Sequence, residues 1–557
     1  MQLTEEERLS IVQSVQGSES SYDPEVKMVT TVINGWNYHT DTLNAVYHHT
    51  TGSMGYALSL LDAGTPEYRQ RAFDVIEKTI SVQETDPNSK YCGIWPYYME
   101  EPCTTKRSPV DRNWAEFMSV TLLDIYMGYK NELPPALIKQ IEDALLLASK
   151  AIQRRNEGAG YTNIAIMGIY VTYMVSHILD NPELQQYSMF KLHEFYDYTL
   201  AKNGFREYNS PNYTLVALDE LCRMRQHLVE PEVKKIVDEL YYIGWSTIAR
   251  HYHKPSGQWA GPHSRSYQTL VNKPEVYGLL YRASGGKINL GYEDHSFTRL
   301  HHQLPEQLLP YFLNPVYPRI EKEVFENEEP TIEGTCYLTD QYAISSASKA
   351  SFWNQRRGVV AYWGTPTEPS YLYVRLLHDN YDFSSGHAFN QQKDNTILSL
   401  FNFTTNGGDK HIDIDILKDG KFTAKDLRVR FEFGNVDVNL LTLPEKNQPV
   451  RLSIDGMQVD IHLFYGVFGT CRGYWEKGSD ETHAWLDYVL YAGAEKEFDL
   501  TKTDAAAIGY TLRVTADNEP LPEAVEYAVK DGVLSARWNG LETAIPVKPV
   551  KRLGQFL

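Results

Sequence analysis

With 557 residues, of which 42% are apolar, the chain exceeds what one hydrophobic core organises, roughly 250–300 residues, so two or more domains are expected. A formal net charge of −19 excludes nucleic acid as the expected partner, because a phosphate backbone is gripped through clustered Lys and Arg. It leaves room for one anionic group held in a locally basic cleft.

The N-terminal stretch Met1–Arg8 shows neither a basic region nor an apolar core, and no run reaches the length of a membrane span; the expectation is a cytoplasmic protein without membrane attachment. Cys92, Cys103, Cys222, Cys336 and Cys471 are odd in number and scattered, with no metal-like spacing, which reads as a reduced compartment. From about residue 20 to residue 320 the apolar period is helical: Leu137, Ile141, Ala144, Leu145, Ala148 and Ile152 recur every three or four positions, as do Val233, Ile236, Val237 and Leu240. The run from Ile164 to Leu179 is apolar nearly all round, so it reads as an inner helix covered by others, and a layered helical barrel over 1–320 is expected. An acidic segment, 321–333, reads as a linker. Beyond it, over 334–557, the period becomes two, in Leu427–Phe433 and in Val450–Ile454 followed by Val459, Ile461 and Leu463. Turn signals at Gly407-Gly408, Asp419-Gly420, Asp455-Gly456 and Asp531-Gly532 point to an antiparallel β-sandwich.

Three helix-opening or loop segments, about fifty residues apart, carry the candidate chemistry. Gly158–Asn163 ends in an amide at a helix start, Glu207–Thr214 brackets Tyr213 with small polar residues, and Trp259–Tyr267 presents His263, Arg265 and Tyr267 in a Gly-Pro-bounded loop. An amide, a phenol and a guanidinium delivered from three such loops form an active-site layout, with convergence of Asn163, Tyr213 and Arg265 as its test. The ordinary alternatives are a capping amide, a packed tyrosine and a surface salt bridge. Trp36 and His39, and Asn113 and Trp114, combine rings with amides and imidazole, the mix that stacks sugars and bonds their hydroxyls. Glu207 and Tyr208 flank the phenol, while His378 and His387 sit at strand ends that either reach a cleft or face solvent.

The order helical barrel then β-sandwich, together with Glu207-Tyr208-Asn209-Ser210-Pro211-Asn212-Tyr213, resembles the polysaccharide lyases built from an incomplete (α/α) toroid and antiparallel sheets: the heparinase II/III-like, alginate and chondroitin/hyaluronate lyases. That resemblance implies Tyr213 as the catalytic tyrosine of an E-x-x-S-P-x-Y segment and Asn163 as the amide that neutralises the substrate carboxylate. It implies β-elimination on an acidic oligosaccharide, with a donor offsetting charge as the C5 proton leaves and an acid meeting the oxygen on C4. Arg265 or His263 is expected to lower the pKa of Tyr213. No cofactor is required. His387 matches the first position of the family's H-x-H motif, but Phe389 stands where the second histidine belongs, so a metal site is not expected. Two rival readings remain open: a glycoside hydrolase using Asp111 and Glu207, and a non-catalytic glycan-binding protein. Oligomeric state is not legible.

Overall fold

A capping box opens the first helix. The Thr4 hydroxyl accepts the Glu7 N–H at 3.1 Å, the Glu7 carboxylate accepts the Thr4 N–H at 2.7 Å, and the helix runs over Glu5–Glu19, ahead of the start expected near residue 20. Its sequence is polar, with Ile11 and Val15 alone buried, so the apolar period did not betray it. The computed structural model describes residues 4–35, 39–228, 230–327, 331–408, 411, 414–415, 417–445, 448–516, 519–521 and 523–551.

The chain divides into two compact units. The first comprises Met1–Tyr198, Asp219–Asp238 and Asp294–His301; the second comprises Thr199–Leu218, Glu239–Glu293 and His302–Leu557. The division departs from the boundary expected at 320, since helical segments before it belong to the second unit.

In the first unit, helices Thr50–Ala63, Trp114–Tyr129 and Thr162–Ile178 are buried over much of their surface and neighbour one another in that order. Helices Pro66–Ile80 and Pro135–Arg155 carry one apolar stripe each and cover them, giving the inner-and-outer alternation of an incomplete (α/α) toroid. The expected positions Leu137, Ile141, Ala144, Leu145, Ala148 and Ile152 form the buried stripe of Pro135–Arg155. One part of the helical expectation fails: Tyr22–Asp23, Met28–Ile33 and Ala45–His48 make a small antiparallel sheet. The β-branched run Val29-Thr30-Thr31-Val32-Ile33 explains it, since branching at Cβ suits a pleated surface better than a helix. No helix among the described residues is long and apolar enough to cross a membrane.

In the second unit two antiparallel sheets face each other. The larger runs from Tyr474–Ser479 through His483–Asp499, Lys421–Gly434, Pro369–His378, Val359–Gly364, Tyr342–Ala347 and Ile332–Leu338 to Arg319–Glu326, with Tyr381–Asp382 beside Pro369–His378. The smaller joins Val450–Ile454, Met457–Phe468, Ala506–Thr515, Thr396–Phe403, Gly386–Lys393 and Lys349–Ser351. Ile344, Trp363, Val374 and Leu376 of one sheet pack with Ile397, Ile461, Ile508 and Leu512 of the other in a single core. Each such side chain contributes about 1.5–3 kcal/mol on burial. The expected turn at Asp455-Gly456 joins Ile454 to Met457 as a two-residue hairpin, with φ of 48° and 83°. The stretch 321–333 is not a linker: its first residues belong to strand Arg319–Glu326, which pairs with Ile332–Leu338. Alternation along Glu321-Lys322-Glu323-Val324-Phe325 carries mostly charged side chains, and an edge strand tolerates these.

Candidate active site

Two loops of the second unit, 205–213 and 259–267, are tied together by the side chains of the motif around Tyr213. Asn209 takes a left-handed backbone (φ 44°), which its short polar side chain tolerates. Its Nδ2 donates to the carbonyls of Ala260 and Pro262, both at 2.9 Å, and its Oδ1 accepts from Trp259 Nε1 at 2.5 Å. The Ser210 hydroxyl donates to the Arg265 carbonyl at 2.7 Å and accepts the Tyr213 N–H at 3.1 Å, so one residue both docks the loops and starts helix Tyr213–His227. Gly261 permits the approach to the larger sheet, because a Cβ there would lie 2.5 Å from Val360 Cγ1.

Tyr213, Arg265 and Tyr267 come together. The phenol oxygens of Tyr213 and Tyr267 are 2.6 Å apart, and the Arg265 guanidinium carbon lies 4.1 Å from the Tyr213 ring centre. Tyr267 is 59% exposed, so the pair runs from a half-buried phenol out to solvent. Arg265 does not have a free fork. Its Nη1 donates to Glu207 Oε1 at 2.8 Å, while Nε and Nη2 donate to Gln355 Oε1 at 3.0 and 2.9 Å; on its other side lies Trp353, 5.1 Å to the ring centre. A guanidinium buried among apolar rings must satisfy its donors, and these two acceptors do so. Burial pulls the Arg265 pKa down, but Tyr213 and Glu207 outweigh it and hold it raised. The expected lowering of the Tyr213 pKa fails: burial dominates and pushes it well up, with the attraction of Arg265 only partly offsetting that. Tyr213 is therefore a protonated phenol at neutral pH.

The other candidates of this unit are structural. His263 is buried, its Nδ1 donates to the Asn209 carbonyl at 2.7 Å, and burial drives its pKa down to about 3, so it is a neutral brace for the loop and contributes no charge to Tyr213. Tyr208 stacks face to face on Phe325, 3.9 Å between ring centres, and belongs to a small core rather than to a binding surface. His378 is committed through both nitrogens, to Asp415 at 2.8 Å and the Thr423 carbonyl at 2.7 Å; burial lowers its pKa, but those partners win and raise it. His387 is 1% exposed within strand Gly386–Lys393, so it neither faces solvent nor sits at an open strand end. Gln355 and Trp353, which complete the Arg265 site, lie in the polar cluster Trp353–Arg357; nothing in the sequence linked that cluster to residue 265.

The first unit holds a second cluster. His39 stacks on Tyr97 (4.2 Å), Tyr97 stacks on Trp114 (4.1 Å), and His49 meets Tyr97 edge-on at 4.8 Å. Trp114 Nε1 donates to Thr50 Oγ1 at 3.0 Å, fixing the indole. Asn113 donates to the Tyr161 hydroxyl at 3.2 Å and accepts from Arg155 at 2.7 Å, so its amide orientation is set. Burial lowers both His39 and His49 to about 4, leaving neutral rings. Tyr97 and His49 carried no signal of their own, each lying in a stretch without a motif. Trp36 lies outside the described residues.

Asn163 is the second residue of helix Thr162–Ile178, 3% exposed, and its Oδ1 has no hydrogen-bond partner among the described residues. The capping alternative fails, because the N-cap is Tyr161, which makes no side-chain capping bond. Asp111 is raised by burial, and Glu116, wholly buried, is pushed up to about 8 by the same cause, with Arg155 at 3.7 Å only partly offsetting it. Among the described residues no group of three or more His, Cys, Asp or Glu is placed to hold a metal ion.

Among solved structures, the chain is similar to heparinase III, the BT4657 gene product with methylated lysines, at a TM-score of 0.43 and 8% identity over 98% of this chain and 90% of that one. A further heparinase III structure matches at TM-score 0.39 with the same identity and coverage. The endoglucanase CelQ from Clostridium thermocellum, complexed with cellobiose and cellotriose, matches at TM-score 0.22 and 10% identity over 92% of this chain and 93% of that one. No curated protein matches the sequence. Residues 11–301, more than half of the chain, match the family model described as Domain of unknown function (DUF8769), and the chain belongs to that family.

Proposed function

We propose that this protein degrades glycans, and that it does so as a lyase cleaving uronic-acid-containing oligosaccharides by β-elimination. The observation that carries this reading is the Tyr213–Tyr267 phenol pair at 2.6 Å, with the Arg265 guanidinium against the inner ring. In such an elimination a base takes the C5 proton, the C5–H electron pair forms the C4–C5 double bond, and the C4–O bond breaks onto an oxygen that must be protonated. Tyr213, kept protonated by burial, suits the acid, and Tyr267, hydrogen-bonded to it and open to solvent, suits the base: as Tyr213 gives its proton to the leaving oxygen, Tyr267 passes its own proton to Tyr213 and takes the one from C5. The role of Arg265 is then indirect: tied to Glu207 and Gln355, it positions the Tyr213 ring rather than gripping the substrate carboxylate. Within the first unit, Asn163 has a buried amide oxygen without a partner among the described residues, and a flip of that amide presents a donor to a ligand. The His39–Tyr97–Trp114 stack fits a platform for a sugar ring.

The hydrolase alternative draws support from Asp111, whose raised pKa suits an acid, but Glu207 is bound in an ion pair and poorly placed to activate water. Incubation with a panel of uronate oligosaccharides separates the readings. An ultraviolet-absorbing unsaturated sugar is the expected product; a saturated reducing end would favour hydrolysis, and binding without any product would favour a glycan-binding protein.

A further inference from the structure

Helices Thr50–Ala63 and Trp114–Tyr129 begin at the aromatic stack, with Thr50 and Trp114, and at 1.5 Å per residue they end about 20 Å further on, at Asp62 and Tyr129. At that far end, still within the first unit, lies a cavity of about 720 Å³ lined in part by Asp62, Asp124, Tyr129, Arg223, His227 and Arg299. The volume falls in the range of small-molecule sites, roughly 300–1,000 Å³.

Each charged group has a partner of opposite sign. Asp62 accepts from Arg299 and from the Tyr129 hydroxyl (2.5 Å), and Arg299 also donates to that hydroxyl at 2.8 Å. Arg223 spans Asp124 (3.4 Å) and Glu220 (2.7 Å), whose carboxyls burial raises despite the arginine, Glu220 to about 7. Glu132 at the rim is paired with Arg69 at 2.9 Å. The segment bearing Arg299 is pinned by Gln226, which donates to the Arg299 carbonyl at 3.0 Å and accepts the His301 N–H at 2.9 Å. Yet hydrogen-bonding capacity is left over. Arg299 Nε is buried with no partner among the described residues, and His227, bonded through Nδ1 to the Tyr170 hydroxyl at 3.0 Å and held neutral by burial, has no hydrogen bond at Nε2 among the described residues. Phe297 and Met127 add an apolar wall.

We propose that this cavity binds a neutral polyhydroxylated ligand of mono- to disaccharide size. A site whose ions already satisfy each other gains little from a further charge, whereas leftover donors and acceptors beside an aromatic ring match hydroxyls alternating with C–H faces. An anion would have to break an existing ion pair to gain a cation, and a cation would have to compete with Arg223 for Asp124 and Glu220. The inference is independent of the elimination reading.

Calorimetric titration of the full chain with maltose, lactose and sucrose, and with glucuronate and glucosamine as charged comparisons, tests it. At least one disaccharide is expected to bind with a Kd near or below about 1 mM, and both charged sugars at least about tenfold more weakly. Met127 lines the cavity and is 46% exposed, so Met127→Trp takes ligand space without disturbing the core and is expected to weaken binding at least about tenfold. His227→Phe, which removes the ring nitrogens, is expected to do the same, while Trp114→Phe at the stack leaves the affinity unchanged. Absence of binding by all three disaccharides, tighter binding of a charged sugar, or an affinity that follows Trp114→Phe and ignores Met127→Trp would each overturn the proposal.

Discussion

The aromatic stack of the first unit and the tyrosine pair of the second use similar residues under opposite electrostatics. His39, Tyr97 and Trp114 are layered with neutral imidazoles, burial having removed the positive charge from His39 and His49. Tyr213 and Tyr267 instead sit with an arginine that cannot lose its charge and therefore demands a carboxylate, Glu207, and an amide, Gln355. The difference teaches how burial sorts rings into platforms and proton holders. A titratable neighbour gives up its charge and the surface becomes one for stacking; a permanent cation stays, and the phenol beside it is held in place by an ion pair.

The largest expected effect strikes the proton holder. Tyr213→Phe keeps the ring over Arg265 but removes the hydroxyl, so kcat should fall by about 10²–10⁴ with thermal stability nearly unchanged. Near-normal turnover of uronate oligosaccharides would take Tyr213 out of the mechanism.

Glu207→Ala probes the ion pair itself. Leaving Arg265 buried with only Gln355 should cost about 3–5 kcal/mol in urea denaturation. A loss below about 1 kcal/mol is what an exposed pair gives, and it would return Arg265 to the list of groups free to meet a substrate.

The stack should answer in binding rather than in chemistry. Tyr97→Leu preserves apolar volume while removing the ring between His39 and Trp114, and the loss of stacking predicts oligosaccharide binding about 3–10-fold weaker by calorimetric titration. Unchanged binding would contradict a platform role.

The smallest effects concern pH and again set neutral against charged. A histidine lowered from 6.5 to about 4 contributes stability that is complete above 6.5 and is lost as pH falls from there toward about 4. Glu116, raised from 4.5 to about 8, contributes stability that is complete below 4.5 and is lost as pH rises through about 8. Thermal unfolding should therefore weaken on both sides of a middle range. His49→Asn, which keeps a side chain able to cap helix Thr50–Ala63, should flatten the acid limb, and Glu116→Gln the alkaline limb, each by about 2–4 °C. Limbs unchanged by these substitutions would mean that other groups set the pH profile.

Periodicity carried the fold class. The stripe of Pro135–Arg155, the all-round burial of Thr162–Ile178 and the Asp455-Gly456 hairpin follow from spacing and turn chemistry, which act over a few residues. The same local character explains the misses: the capped helix Glu5–Glu19 has little apolar period to read, and the strand Arg319–Glu326 looked like a linker because its side chains are mostly charged, which its place at the sheet edge tolerates.

Of the candidate site, the sequence by itself determined which residue types stand together: a phenol behind a Ser-Pro turn, a guanidinium and a second phenol two residues apart, and an indole next to an amide. Only the tertiary structure decided what each one does. Whether Arg265 has a free fork depends on Glu207 and Gln355, 58 and 90 residues away; whether His263 carries charge depends on its burial; and Tyr97 joins the stack through residues that sequence does not place beside it. Protonation and hydrogen-bond valence are set by the whole surroundings of a group, and those surroundings come into being only when distant segments pack.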